Sequence, residues 1–268
     1  MRLESGQVAV VTGAASGIGR GLVDAFAARG FRVVLADVEA QALEEAAGSV
    51  PGEVLAVRTD VRSAESVDEL AAATLERFGR VDVVCNNAGV VTSRAPIWQQ
   101  SYADWEWTVQ VNLLGVANGV RAFVPHLVTQ GHGHVVNTAS IAGLATIPGG
   151  GNGAYSATKH AIVGLSETLR LELSLVAPAV GVTVLCPGPV PTRIHDAARN
   201  RPSAGTQEDA PVADLPRPDF GLTLEPVPPH AVAEQVCRAI EDGREYVLTA
   251  ADIVPMARAR AEHLLEQI

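Results

Sequence analysis

The chain has little cysteine, no block of like charge and no long apolar run, and each shortage excludes a class of protein. Three cysteines in 268 residues, Cys85, Cys186 and Cys237, are odd in number and widely spaced, which argues against a disulfide framework. Cys85 and Cys186 fall inside apolar strand-like runs, where a thiol acts as a small hydrophobe and not as a ligand or nucleophile. No metal site is therefore expected, and a reducing cytoplasm fits. The apolar residues come in short blocks, none approaching the ~20 residues of a membrane span. The opening residues, with acidic Glu4 and a short apolar run leading straight into glycines, do not read as a signal peptide, so a soluble, cytoplasmic protein is expected. Basic residues are also the minority sign. Twenty Lys and Arg against thirty Asp and Glu give a formal charge of −10, and the field of such a molecule opposes nucleic acid and anionic membranes.

What is present is an ordinary globular composition, 47% hydrophobic and 19% charged. A chain of this length buries roughly 70–75% of its unfolded surface, enough for one large domain over residues 1–268. Short apolar runs at 7–12, 31–36, 53–59, 81–85, 133–138, 182–186 and 244–249 read as strands. Helix-like segments at 20–29, 39–48, 63–79, 102–128, 154–175 and 230–240 lie between them. This alternation implies right-handed β-α-β crossovers. The expected fold is α/β, a Rossmann-type doubly wound sheet of about seven parallel strands with helices on both faces. Ligands then bind at the carboxyl ends of the strands.

That edge collects the polar residues of interest. Gly13, Ser16, Gly17, Ile18 and Gly19 form a G-x-x-x-G-x-G loop between the first strand and the first helix. Glycines there let the backbone turn tightly and approach a pyrophosphate, whose charge meets the free N–H groups at the helix start. Asp37 ends the second strand, roughly 20 residues beyond the glycines, where an acid accepts hydrogen bonds from adenosine ribose hydroxyls and repels a 2′-phosphate. Neither Ala15 nor Val38 supplies the cation a 2′-phosphate wants, so NAD is expected over NADP. Asp60 and Asn87 follow the third and fourth strands to the same edge. Tyr155 and Lys159, four residues apart, share one helix face. An ammonium beside a phenol favours the phenolate by roughly 1.4 kcal/mol per unit of lowered pKa, and a shift of a few units makes Tyr155 a proton donor near neutrality.

Together, T-G-x-x-x-G-I-G at 12–19, the acid at Asp37, Asp60-Val61, Asn86-Asn87-Ala88-Gly89, and Ser140 with Tyr155-x-x-x-Lys159 resemble the short-chain dehydrogenase/reductase superfamily in its short single-domain form. The resemblance covers about residues 5–192 and returns in the last strand. It implies an NAD-dependent oxidoreductase that moves hydride between the nicotinamide and the carbon of a secondary alcohol or ketone. In it Tyr155 is the general acid/base, Ser140 hydrogen-bonds the reacting oxygen, Lys159 also holds the nicotinamide ribose, and Asn112 holds a water linking the lysine to solvent. Asp60, Val61, Asn87, Ala88 and Gly89 contact the coenzyme, as does the turn carrying Pro187, Gly188, Val190 and Thr192. A homotetramer built on the helices bearing Asn112 and Tyr155 is implied, with residues 257–268 as a short helix on a neighbour.

Residues 193–229, rich in proline and short of periodicity, correspond to the substrate-binding lid. Ile194, Leu215, Phe220, Leu222 and Leu224 there, with Val90, Val91, Trp98, Leu144 and Ile147 on the same rim, point to a hydrophobic alcohol or ketone. One departure concerns the fourteen residues between Ser140 and Tyr155, slightly more than the family usually has. The surplus lies in the glycine-rich stretch 148–153, which can bulge without moving either residue. The alternative is a catalytically silent nucleotide-binding protein of the same fold, sensing redox state or supporting a partner; intact Ser140, Tyr155 and Lys159 weigh against it. An epimerase or dehydratase would need a longer chain with a separate substrate domain.

Overall fold

The computed structural model describes residues 1–92, 94–147, 149–202 and 225–268. Seven strands, β1 (Val8–Thr12), β2 (Arg32–Asp37), β3 (Val54–Arg58), β4 (Val83–Asn86), β5 (Gly133–Thr138), β6 (Val180–Cys186) and β7 (Tyr246–Leu248), form one sheet in the order β3-β2-β1-β4-β5-β6-β7. Every pairing is parallel. Alternate side chains feed opposite cores: Val8, Val10, Val34 and Val84 pack on one face, and Ala9, Val11, Val33 and Val83 on the other. Burial on both faces explains why these strands read as continuous apolar runs instead of alternating ones.

The helices are α1 (Gly17–Ala27), α2 (Ala40–Gly48), α3 (Ala64–Phe78), α4 (Tyr102–Thr108), α5 (Gly115–Gln130), α6 (Gly153–Val176), α7 (Pro229–Asp242) and α8 (Val254–Leu265). Chain order reverses direction between β1 and β4, so a cleft opens at the carboxyl ends of these two strands. The loops after β1, β2, β3, β4, β5 and β6 carry most of the residues singled out above, and the start of α6 carries Tyr155 and Lys159.

Three departures from the expected boundaries matter most, beyond shifts of a few residues elsewhere. The single helix expected over 102–128 is broken by a π-helical turn, Val109–Leu114, between α4 and α5. Its cause is tertiary: Asn112, fully buried, pairs with the backbone of Val90 through both ends of its amide. Taken as one stretch, Tyr102–Gln130 is long and apolar enough to cross a bilayer by length and composition, although no unbroken apolar run marks it. In the fold it packs on α3, β4, β5 and α6 as a core helix. The last strand shrinks to Tyr246–Leu248, and the final helix begins at Val254, ahead of the expected 257.

Candidate active site

The coenzyme end is built by backbone. Ser16 precedes the first turn of α1, and Gly13 and Gly17 sit in the left-handed region with φ of 65° and 55°. Gly19 is required by close approach: a Cβ there would lie 2.0 Å from the Gly13 carbonyl oxygen and 2.7 Å from Asn87 Nδ2. The Thr12 hydroxyl accepts from the N–H groups of Asn87 (2.9 Å) and Ala88 (3.1 Å). Asn87 Nδ2 donates to the Thr12 carbonyl at 3.0 Å, which ties the β1 and β4 loops into one cradle. Asp37 accepts from the N–H groups of Ala15 (3.0 Å) and Glu39 (3.1 Å). Burial raises its carboxyl above the ordinary value, against the opposing pull of those two bonds. The cradle of glycine backbone, the open helix start and the carboxylate across from it fit a dinucleotide.

One cavity runs from Asp37 past Gly13, Gly17 and Asn87 to Tyr155 and Lys159. Ser16, Ile18, Asp60, Val61, Ala88, Gly89, Pro187 and Thr192 also line it. Five of the expected residues stand behind its wall. Gly19 is packed under the loop, and Asn112 is buried behind Gly89 and Val90. Ser140 is buried at the end of β5, where its hydroxyl accepts from the Ala142 N–H at 3.1 Å and bonds the Tyr155 side chain. Gly188 lies against Ile253 with its N–H on the Thr249 hydroxyl, and Val190 packs into the core.

Tyr155, Lys159 and Ser140 meet at the far end of the cavity. Lys159 Nζ lies 5.5 Å from the Tyr155 ring centre. Burial raises Tyr155, and the Ser140 hydrogen bond is the influence that lowers it. The ammonium, 2% exposed, donates to the Thr138 carbonyl at 2.7 Å. Burial brings Lys159 itself down to about 8. Thr158, between the two, receives a bond from Asn112 Nδ2 (3.3 Å) and donates to the Tyr155 carbonyl (2.8 Å).

Several contributors were missed from sequence. Arg62 grips Asp60, with Nη2 2.6 Å from Oδ2 and Nε 2.9 Å from Oδ1, and holds that carboxyl below its usual range. Beyond Thr192 a short helical strap, Arg193–Asn200, crosses the cleft. Arg199 reaches Glu39 Oε1 through Nη2 (2.6 Å) and Nε (3.0 Å), and Asn200 donates to the same oxygen at 2.9 Å. The next residue, Arg201, ties to the opposite wall, 2.8 Å from Asp104 Oδ1 and over the Trp107 ring. The strap's partners are up to 161 positions away, so no local spacing announces them. Of the expected apolar rim, Val90 and Ile194 line the cavity together with Trp107, Val111 and Ala197. Leu144 and Ile147 pack toward Ile253 and Met256 instead, and Trp98 points outward, 78% exposed. Leu215, Phe220, Leu222 and Leu224 lie outside the described residues.

The glycine-rich stretch is clamped. Gly149, Gly150 and Gly151 all have positive φ. Arg94 donates to the carbonyls of Gly149 and Gly150, and the Ala95 N–H to that of Gly151 at 2.9 Å. Gln100 accepts from the Ala154 N–H at 3.1 Å, one residue before Tyr155.

Known proteins share this arrangement. The family model for short chain dehydrogenases matches residues 7–203. The 1-deoxy-11-beta-hydroxypentalenate dehydrogenase of Streptomyces arenae is 38% identical over 78% of this chain and 76% of its own. A short chain dehydrogenase/reductase from Burkholderia phymatum, solved in complex with NAD, superposes with a TM-score of 0.92 at 40% identity, covering 100% of this chain and 97% of that one. An alcohol dehydrogenase from the archaeon Thermococcus sibiricus, complexed with 5-hydroxy-NADP, gives a TM-score of 0.73 at 30% identity over 90% of this chain and 95% of that one. The matched span contains the glycine cradle, Ser140, Tyr155 and Lys159, and with it the chain belongs to the short-chain dehydrogenase family of oxidoreductases.

Proposed function

We propose that this protein is an NAD(H)-dependent oxidoreductase interconverting a hydrophobic secondary alcohol and its ketone. The observation that carries the reading is the single cavity that joins Asp37 at one end to Tyr155 and Lys159 at the other, with Ser140 buried at the end of β5. The coenzyme supplies the hydride acceptor or donor. Tyr155 Oη gives a proton to the carbonyl oxygen in reduction and takes it from the alcohol in oxidation. Ser140 holds the phenol by hydrogen bond and orients the substrate oxygen. Lys159, held by the Thr138 carbonyl, places a positive charge behind the tyrosine ring and toward the nicotinamide ribose. Asn112 supports the relay from behind by fixing Val90 and Thr158.

NAD over NADP is supported by Asp37 and by the NAD complex of the Burkholderia phymatum relative; the Thermococcus sibiricus neighbour with its NADP derivative is the counterexample within the family. A hydrophobic substrate is supported by Val90, Trp107, Val111, Ile194 and Ala197 on the cavity wall. We read residues 1–268 as one catalytic domain, with 193–229 as its lid and the strap as the lid's first segment. Exposed Leu114, Leu171 and Leu175 on the 102–130 and 153–176 helices support a homotetramer, to be checked by light scattering; a monomeric mass would refute that assembly. The function itself is tested by screening secondary alcohols, steroids and terpenoid alcohols for NADH production. The absence of NADH with the whole panel, together with the absence of NADH oxidation by the matching ketones, would favour the silent nucleotide-binding alternative.

A further inference from the structure

The adenosine end of the cavity is lined by three carboxylates, Asp37, Glu39 and Asp60, and three guanidinium groups, Arg62, Arg193 and Arg199. A 2′-phosphate is recognised by a cation free to offer its N–H fork, and arginine is the side chain best shaped for it. Counting arginines near Asp37 would therefore suggest that NADP is welcome. Their bonding says otherwise. Arg62 is spent on both oxygens of Asp60, and Arg199 places two of its nitrogens on one oxygen of Glu39. Arg193 lies 3.3 Å from Asp196 and 4.0 Å from Glu39. Glu39 is only 24% exposed and Arg199 22%, so this pair is shielded better than the common surface ion pair. Glu39 also stands two residues beyond Asp37 and gives its N–H to that carboxylate, which places its own charge beside the ribose-binding acid.

We infer that Glu39 is a specificity-determining residue for the dinucleotide: by engaging Arg199 and Asn200 of the strap it withdraws a cavity-lining guanidinium from the 2′ position, so that NADP is rejected by cation sequestration as well as by Asp37. This rests on the NAD reading above. It differs from an acid-only account in one respect: neutralising a residue that is not the ribose-binding acid should open the site to NADP, and the gain should depend on Arg199.

The test is the dissociation constants of NADH and NADPH, measured on the full chain by fluorescence titration without substrate. The variants are Glu39→Gln, Glu39→Ala, Arg199→Gln and the double Glu39→Gln/Arg199→Gln. In the wild type NADH binds more tightly. Glu39→Gln and Glu39→Ala should each tighten NADPH about tenfold, the scale of one charge-assisted hydrogen bond, while Arg199→Gln does not. The double variant should lose the gain. NADH binding by each variant shows that it is folded. An NADPH constant unmoved in both Glu39 variants, in a wild type that prefers NADH, overturns the inference and leaves the NAD reading standing. A gain that persists in the double variant also overturns it, because a loosened strap and not a freed arginine would then be the cause. A wild type that binds NADPH more tightly than NADH overturns the NAD reading and the inference with it.

Discussion

At the scale of single residues, the proposed proton transfer depends on which neighbour biases the Tyr155 phenol. The spacing of Tyr155 and Lys159 is legible because helix geometry fixes it. The Thr138 carbonyl that captures the ammonium is not, because a backbone acceptor leaves no mark in a sequence. A hydrogen bond from Ser140 also pulls the phenol down, against the upward push of burial. Ser140→Ala should lower turnover by on the order of a hundredfold or more, as the loss of a positioned hydroxyl at a reacting oxygen does, and should move the apparent pKa of the rate profile upward. A profile left in place with full turnover would contradict the role. Lys159, brought down to about 8 by burial, loses its positive charge as the pH rises through that value. Replacing it with Met should erase any limb of the rate profile near there and displace the limb belonging to Tyr155. An unchanged profile in Lys159→Met would show that the ammonium tunes nothing.

At the scale of elements, the strand-loop-helix unit at 8–27 was readable because an apolar strand, a glycine loop and a helix start are all local signals. The reason for Gly19 was not local, since its missing side chain makes room for the Gly13 carbonyl and Asn87. Gly19→Ala should destabilise the fold by about 1–3 kcal/mol through overpacking and weaken coenzyme binding; a thermal melt and an NADH titration both at wild-type values would refute that packing. The π-helical turn at Asn112 escaped the periodicity argument because its cause lies in the backbone of Val90, 22 positions away. The glycine-rich stretch was expected to bulge without moving Ser140 or Tyr155, and Arg94, Ala95 and Gln100 are the residues that hold it. The bulge is thus anchored to the segment preceding α4, directly ahead of the turn that bears Tyr155.

For the molecule as a whole, the parallel sheet and the placement of ligand residues on one edge followed from alternation of strands and helices, because parallel sheets with right-handed crossovers leave few topologies open. Pairings between distant loops did not follow, and the strap tied to Glu39 on one wall and to Asp104 on the other is the main example. Stability has its own distant pairing. His134 on β5, buried and bonded at 2.8 Å to the Thr183 hydroxyl on β6, is pushed down from 6.5 to about 3 by burial. Between those values the unfolded chain binds a proton that the folded chain refuses, so stability falls as the pH drops, by up to about 1.4 kcal/mol per unit. His134→Asn should flatten this loss in acid unfolding monitored by circular dichroism, and a slope identical to wild type would assign the acid lability elsewhere.

The central claim is that Tyr155 moves the proton in an NAD-coupled oxidation. It is tested most directly by measuring NADH formation from a secondary alcohol by the wild type and by Tyr155→Phe, with the coenzyme dissociation constant determined for both. Turnover is expected in the wild type, with a loss on the order of a thousandfold in the variant and coenzyme affinity retained. Tyr155→Phe turning over at the wild-type rate would contradict it.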